Sequence, residues 1–321
     1  REIAHDDYDL VVDILCKLPF CSPWILPIPC LGIVHHLFGR TAFEQVPFPV
    51  AAATYLSEKL IPHAYRDTAL ITISPSSYDD LVARGLDGSH ISIIPNGVDE
   101  TLYNPGAGAK DERPLIVWLG RVEPYKRADL LIEAMPSVRA RVPTARLAVV
   151  GDGTARPALE DLVRKRQLTD CVEFTGFVTS EEKVAYLRRA HALVNTSEKE
   201  GWGLTVIEGN ACGTPTIATN VPGLRDSVRD GETGLLVEYG NIDQLADALV
   251  RVLSDEALRM RLSRNALEWS RRFVWDEVAS QIEQIAVAVA DGACATEVRL
   301  IAPVFGGVPN TSRAKAEGVH G

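Results

Sequence analysis

From Asp9 to about Leu253 the chain alternates short apolar runs with stretches whose apolar residues recur at helical spacing, and no other feature constrains its fold as much. The run LIVWL at Leu115–Leu119, for example, gives way to Leu130, Leu131, Ala134, Met135 and Val138. Strand and helix patterns in strict succession are the mark of parallel sheets flanked by helices, because a parallel pair needs a long crossover between its strands. An α/β fold is therefore expected, and 321 residues leave room for two domains.

The stretch Tyr103 to Pro114, YNPGAGAKDERP, combines turn formers with charge and lacks an apolar period, so it reads as the linker between domains. The expected division is residues 1–104 as a first domain, 105–290 as a second, and 291–321 as a mobile tail rich in small residues. The second domain should hold strands near Ile116, Ala148, Val172, Leu193, Ile217 and Leu236, with a capping box of Thr179 and Glu182 opening one helix. The first shows only Leu10–Leu15, Leu31–His35 and Ala69–Ser74, with Ile91–Pro95 leading out, and so reads as incomplete.

Composition is that of an ordinary globular protein, and a net charge of −10 argues against a general nucleic-acid partner. It leaves peripheral membrane contact open, since a local patch can dock an acidic protein. Residues 10–34 are the most apolar stretch, but Asp13, Lys17 and four prolines interrupt it, so a spanning helix is not expected. Six cysteines without metal-ligand spacing read as reduced, mostly buried thiols of a cytoplasmic protein.

Two motifs carry the chemistry. In LGRVEPYKR, Arg121 and Lys126 follow Gly120 in a loop between strand and helix, at the edge where open parallel sheets bind ligands. An arginine fork and a lysine ammonium beside a helix N-terminus suit the oxygens of a diphosphate. In KEGWGLTVIEGNACGTP, Glu200 and Glu208 flank a loop of Gly201, Trp202 and Gly203 and a helix that opens near Leu204. An ionised carboxylate accepts from two vicinal hydroxyls, of a sugar or of a ribose. The bland alternatives are that the cations only solvate their loop and that Glu208 only charges a helix. Together the four residues point to a nucleotide-activated sugar.

Other signals are weaker. His35, ending the strand LGIV, is a candidate hydroxyl ligand; its neighbour His36 is a poorer one. Gly151-Asp152-Gly153 lacks the third glycine of a dinucleotide fingerprint, because Arg156 stands there. Asn96-Gly97 is read as a tight turn near the hinge, and no Walker loop or Ser-His-Asp arrangement is visible.

From Ser74 to Trp275 the chain resembles the retaining glycosyltransferases of family four, which have a GT-B fold. The matching segments, in family order, are SPSSYDDL, IIPNGVD, LGRVEPYKR, VVGDG, VEFTGFV, EGWGLTVIEGNACGTP, VPGLRDSV and DGETGLLV. The resemblance implies two Rossmann-like domains facing a cleft, the first one shortened here, with the last helix crossing back to it. It implies that Arg121 and Lys126 hold the leaving phosphates, Glu200 the donor sugar and Glu208 the ribose. Gly176, Phe177 and Val178 would lie by the base and His35 by the sugar. Asp226 departs from the glutamate that relatives often carry.

The function so implied is transfer of a sugar from a nucleoside-diphosphate sugar to a carbohydrate, lipid-linked or small-molecule hydroxyl, with retention and without a metal or other cofactor. A non-catalytic nucleotide-sugar-binding fragment is the first alternative. An epimerase or phosphorylase of similar architecture is the second, and the pyridoxal-phosphate lysine context that a phosphorylase needs is not found.

Overall fold

The computed structural model describes residues 8–16, 18–300 and 305, which form ten strands and thirteen α-helices. The chain divides into two compact units, residues 1–96 with 276–321, and residues 97–275. Each is built on its own parallel sheet, as the alternating pattern predicts.

In the first unit, β1 (Val11–Ile14), β2 (Cys30–Val34), β3 (Ala69–Thr72) and β4 (Ile91–Ile93) pair in sequence order. Between them lie α1 (Ser22–Ile25), α2 (Ala42–Gln45), α3 (Phe48–Glu58), α4 (Ile61–Ala64) and α5 (Pro75–Ala83). Strand residues alternate between faces. Leu70 and Val34 pack with Ile61, Tyr65, Tyr78 and Leu81, whereas Leu31, Ala69 and Ile71 pack with Val278, Ile285 and Val289.

The second unit contains β5 (Leu115–Leu119), β6 (Arg146–Val150), β7 (Val172–Gly176), β8 (Ala192–Asn195), β9 (Thr216–Thr219) and β10 (Gly234–Val237). Its helices are α6 (Ala128–Arg141), α7 (Arg156–Lys165), α8 (Ser180–Arg189), α9 (Leu204–Ala211), α10 (Leu224–Ser227), α11 (Ile242–Ser254) and α12 (Glu256–Ser270). The strand order is β10-β9-β8-β5-β6-β7, all parallel. Ile116, Trp118, Ala192 and Val194 bury one face with residues of α6, α7 and α11. On the other face α9 comes so close that a Cβ on Gly209 would lie 2.7 Å from Leu193 Cδ2. The capping box of Thr179 and Glu182 opens α8.

Three boundaries differ from the sequence reading. The unit boundary falls at Asn96 and Gly97, ahead of the expected 104, and α13 (Trp275–Ala290) packs, from Asp276 on, with the first sheet. Tyr103 to Pro114 is no free linker. Tyr103 is buried, Lys110 Nζ donates to Thr214 Oγ1 at 2.7 Å, and Asp111 pairs with Arg146 and Arg189 at 3.0 and 2.5 Å. Its charges find partners on β6 and α8 that are remote in sequence, so local composition could not show them. Residues 291–300, expected to be mobile, include Leu300, whose carbonyl accepts from Ile93 N at 2.9 Å; 301–304 and 306–321 lie outside the described residues. Two of the six cysteines, Cys171 and Cys212, are buried, while Cys16 and Cys294 are exposed, so "mostly buried" does not describe them.

The chain crosses the boundary between units twice, at neighbouring places. Val98 N donates to Phe273 O at 2.7 Å, and a Cβ on Gly97 would meet Trp275 N at 2.8 Å, which accounts for the turn residue there.

Candidate active site

In the second sheet, successive strands run outward from β5 to β7 and then, from β8, in the opposite direction. The loops after β5 and β8 therefore separate at the carboxyl edge, which is where open α/β sheets bind ligands. Arg121 and Lys126 lie on the first loop, Glu200 on the second.

The two loops are tied together by hydrogen bonds. Glu198 N donates to Tyr125 O at 3.1 Å, and Thr196 Oγ1 to Lys126 O at 3.1 Å. Trp118 Nε1 in turn donates to Thr196 Oγ1 at 3.2 Å, so a buried indole of β5 fixes the junction. Across it, Lys126 Nζ donates to Glu200 Oε1 at 2.5 Å, a mostly buried pair whose side chains are 17% and 15% exposed. Ser197 Oγ donates to the same oxygen at 2.8 Å. Glu200 Oε2 accepts from neither of them.

Arg121 is exposed, and its Nη2 donates to Tyr125 OH at 2.9 Å. Lys126 Nζ sits 5.3 Å from the centre of the Tyr125 ring. One tyrosine thus steadies both cations.

Glu208 takes another partner. It lies on α9, is 7% exposed, and accepts from Lys183 Nζ of α8 at 2.8 Å. Tyr103 stands beside the pair, with Lys183 Nζ 4.8 Å from its ring centre, and burial pushes its phenol up to about 12. The structure joins Lys126 to Glu200 and Glu208 to Lys183, as two separate ion pairs.

Gly201 and Trp202 are buried; Trp202 packs edge-on against Phe273 at 5.0 Å and is a core anchor of its loop. Gly203 precedes α9, and Leu204, its first residue, is exposed. Gly176 ends β7, Phe177 is 93% exposed and Val178 half-buried, so this turn offers an aromatic face to solvent. Gly120 N donates to Val150 O at 3.1 Å, and a Cβ on Gly151 would lie 2.0 Å from Gly120 O. That close approach explains the glycine of the Gly-Asp-Gly stretch without a dinucleotide. Asp226 lies in the first turn of α10.

His35 belongs to the first unit, at the end of β2, where burial lowers its pKa and favours the neutral ring. His36 is exposed, its ring 5.2 Å from that of Phe38.

Sequence reasoning did not single out Tyr125, Ser197, Lys183 or Gly223. Tyr125 and Ser197 had a signal, lying inside or just ahead of the two motifs. Lys183 had none, because only helix packing brings it to Glu208.

With this geometry in place, comparison with known proteins is direct. Residues 100–269 match the family described as glycosyl transferases group 1. The chain belongs to that family, and its two Rossmann-like sheets are those of the GT-B class. A D-inositol 3-phosphate glycosyltransferase of Kribbella flavida is 29% identical over 297 residues, 87% of this chain and 69% of its own length. A GDP-mannose-dependent α-(1-6)-phosphatidylinositol monomannoside mannosyltransferase of Mycobacterium tuberculosis is 32% identical over 213 residues, 60% of this chain and 54% of its own. Among solved structures, a sucrose-phosphate synthase from Thermosynechococcus elongatus superposes with a TM-score of 0.77 at 27% identity, covering 91% of this chain and 76% of that one. The chain spans about half to two thirds of the length of the curated relatives it matches.

Proposed function

We propose that this protein transfers a sugar from a nucleoside-diphosphate sugar to an acceptor hydroxyl, with retention at the anomeric carbon and without a metal ion. The observation that carries the reading is the Lys126–Glu200 pair at the reversal of strand order, with Arg121 on the same loop. Departure of the diphosphate leaves a sugar of oxocarbenium character, so the chief demand is to stabilise charge on the leaving group. Arg121 and Lys126 would meet it, which is why no metal is invoked. Glu200 would orient sugar hydroxyls through Oε2, while Lys126 and Ser197 hold Oε1.

Glu208 would accept from the ribose, with Lys183 holding its carboxylate, and Phe177 would lie by the base. Retention rests on the family resemblance. The relatives' names include an inositol phosphate and a lipid-linked mannoside as acceptors, which supports a polyol, carbohydrate or lipid-linked hydroxyl here. The described residues hold no helix long and apolar enough to cross a membrane, and the proposed setting is the cytoplasm or its membrane face.

The test is release of UDP, GDP or ADP from UDP-glucose, GDP-mannose or ADP-glucose, with thermal shift identifying the base. Lys126→Ala should abolish release while keeping the far-ultraviolet spectrum and the melting transition. Unchanged release in that variant removes Lys126 from the mechanism, and donor binding with no release by the native chain would make it a nucleotide-sugar-binding module instead.

A further inference from the structure

The Lys126–Glu200 pair sets a negative charge beside the cation that would hold a phosphate. Lys126 lies on the loop after β5 and Glu200 on the loop after β8, where strand order reverses and open parallel sheets bind ligands. Arg121 is exposed on the first of these loops, so position and charge together draw an anion to this edge of the second unit.

Glu200 cannot step away from such an anion. Its Oε1 accepts from Lys126 Nζ at 2.5 Å and from Ser197 Oγ at 2.8 Å, and its side chain is 15% exposed. Ser197 is itself fixed, since its N–H donates to Asn195 Oδ1 at 3.1 Å and its carbonyl accepts from Thr219 Oγ1 at 2.7 Å. Asn195, Ser197 and Thr219 are all buried. The Glu200 backbone is tied as well, its N–H donating to Pro222 O at 3.2 Å. A phosphate oxygen taking a hydrogen bond of about 2.9 Å from Nζ therefore lies no more than about 5.4 Å from Glu200 Oε1.

The carboxylate acts on a ligand there in two opposed ways. Like charges about 5.4 Å apart, at an effective dielectric constant of about 20, repel strongly enough to weaken an affinity by about 100-fold before screening. The same carboxylate accepts from hydroxyls, and more strongly than a neutral acceptor does. A ligand with hydroxyls beside its phosphate recovers the second effect, whereas a bare phosphate meets only the first. Charge widens the gap, because a terminal phosphate carries about −1.5 to −2 at pH 7 and loses its second ionisation when esterified.

We propose that Glu200 is a specificity-determining residue that favours a diphosphate joined to a sugar over a free diphosphate, and so hastens departure of the nucleoside diphosphate after transfer. This rests on the reading of the site given above and deepens it, since the carboxylate that orients the sugar is also the charge that expels the product. Transfer breaks the bond between the anomeric carbon and the phosphate oxygen, and the electron pair stays on the phosphate. The acceptor oxygen bonds the anomeric carbon and gives up its proton to solvent. Negative charge on the phosphate thus rises beside Glu200 as the hydroxyls leave it.

The experiment uses the full chain, native and with Glu200→Gln, Glu200→Ala or Glu200→Asp, each checked for its far-ultraviolet spectrum and melting transition. Calorimetry measures affinity for pyrophosphate, for UDP, GDP and ADP, and for UDP-glucose, GDP-mannose and ADP-glucose. Turnover with added nucleoside diphosphate measures product inhibition. Glu200→Gln keeps the volume and removes the charge, and should bind pyrophosphate and the nucleoside diphosphate about 10- to 100-fold tighter. The sugar conjugate should change less, because relief of repulsion is offset by loss of the ionised acceptor. Product should inhibit this variant more strongly. Glu200→Ala, which also removes the charge, should show the same tightening and serves if the Gln variant does not fold. Glu200→Asp keeps the charge, so its preference between free and sugar-bound diphosphate should stay near the native one.

The proposal alone fails if neither charge-removing variant binds the free diphosphate more tightly than the native chain, or if free and sugar-bound diphosphates tighten alike. It fails too if Glu200→Asp tightens as Glu200→Gln does, which would mark a structural effect and not an electrostatic one. A native chain that binds neither the nucleoside diphosphates nor their sugar conjugates overturns the functional reading, and this proposal with it.

Discussion

Gly223 gives a quantitative test of how the Glu200 loop is held. The residue has φ +81°, and a Cβ built on it would lie 2.3 Å from Glu200 O and 2.6 Å from its carbonyl carbon. Ordinary van der Waals contact begins at 3.4 Å, so one backbone or the other must give by 3.4 − 2.3 = 1.1 Å. The Glu200 segment cannot retreat freely, since Glu200 N donates to Pro222 O at 3.2 Å and its carboxylate is bound to Lys126 and Ser197.

Gly223→Ala therefore meets two costs: a positive φ, at about 1 kcal/mol or more, and overpacking, at about 1–3 kcal/mol. Gly240 separates them, because it has the same φ of +81° with nothing within 4 Å of its Cβ position. Gly240→Ala should show the first cost alone and leave turnover unchanged. Gly223→Ala should lower stability by about 2–4 kcal/mol and, by shifting Glu200, lower kcat by about 100-fold. Urea unfolding followed by circular dichroism gives the first figure, and donor turnover on the still-folded fraction gives the second. If Gly223→Ala behaves like Gly240→Ala in both assays, the steric argument for the Glu200 loop is wrong.

Two further predictions concern buried titratable groups. His191 is 8% exposed, and its Nδ1 accepts from Leu115 N at 3.1 Å, a role open only to the neutral ring. Burial, helped by Arg259 and Lys110, pushes it from 6.5 down to about 4. In the pH window from 6.5 down to 4 the unfolded chain takes up a proton that the folded chain refuses. Its stabilising effect is whole above 6.5 and is lost as pH falls through 4, amounting to about 3 kcal/mol. His191→Asn, which offers Oδ1 to the same N–H, should flatten the stability profile over that window in urea titrations; an unaltered slope would count against it. Lys183→Met should leave the Glu208 carboxylate buried without its cation. Because the Lys183 side chain is 23% exposed, the expected loss is only about 1–2 kcal/mol. Nucleotide affinity measured by calorimetry should fall as well, and an unchanged affinity would separate Glu208 from the ribose.

Periodicity alone was enough to place all six strands of the second unit and three of the first, where Ile91–Ile93, read only as a segment leading out, is the fourth strand of the sheet, and residue chemistry alone singled out Arg121, Lys126, Glu200 and Glu208. Both are local properties: apolar spacing reports which face is buried, and a cation or carboxylate declares its chemistry wherever it stands. Partnership is not local. That Glu200 closes on Lys126 while Glu208 turns to Lys183, that Gly223 backs on the Glu200 carbonyl, and that Asp111 ties the expected linker to β6 and α8 follow from strand order and helix packing. These contacts join residues separated by up to 78 positions, and no short-range pattern encodes them. The kinds of charge present were thus written in the chain, and which charges meet was decided by the sheet that brings loops after β5 and β8 side by side.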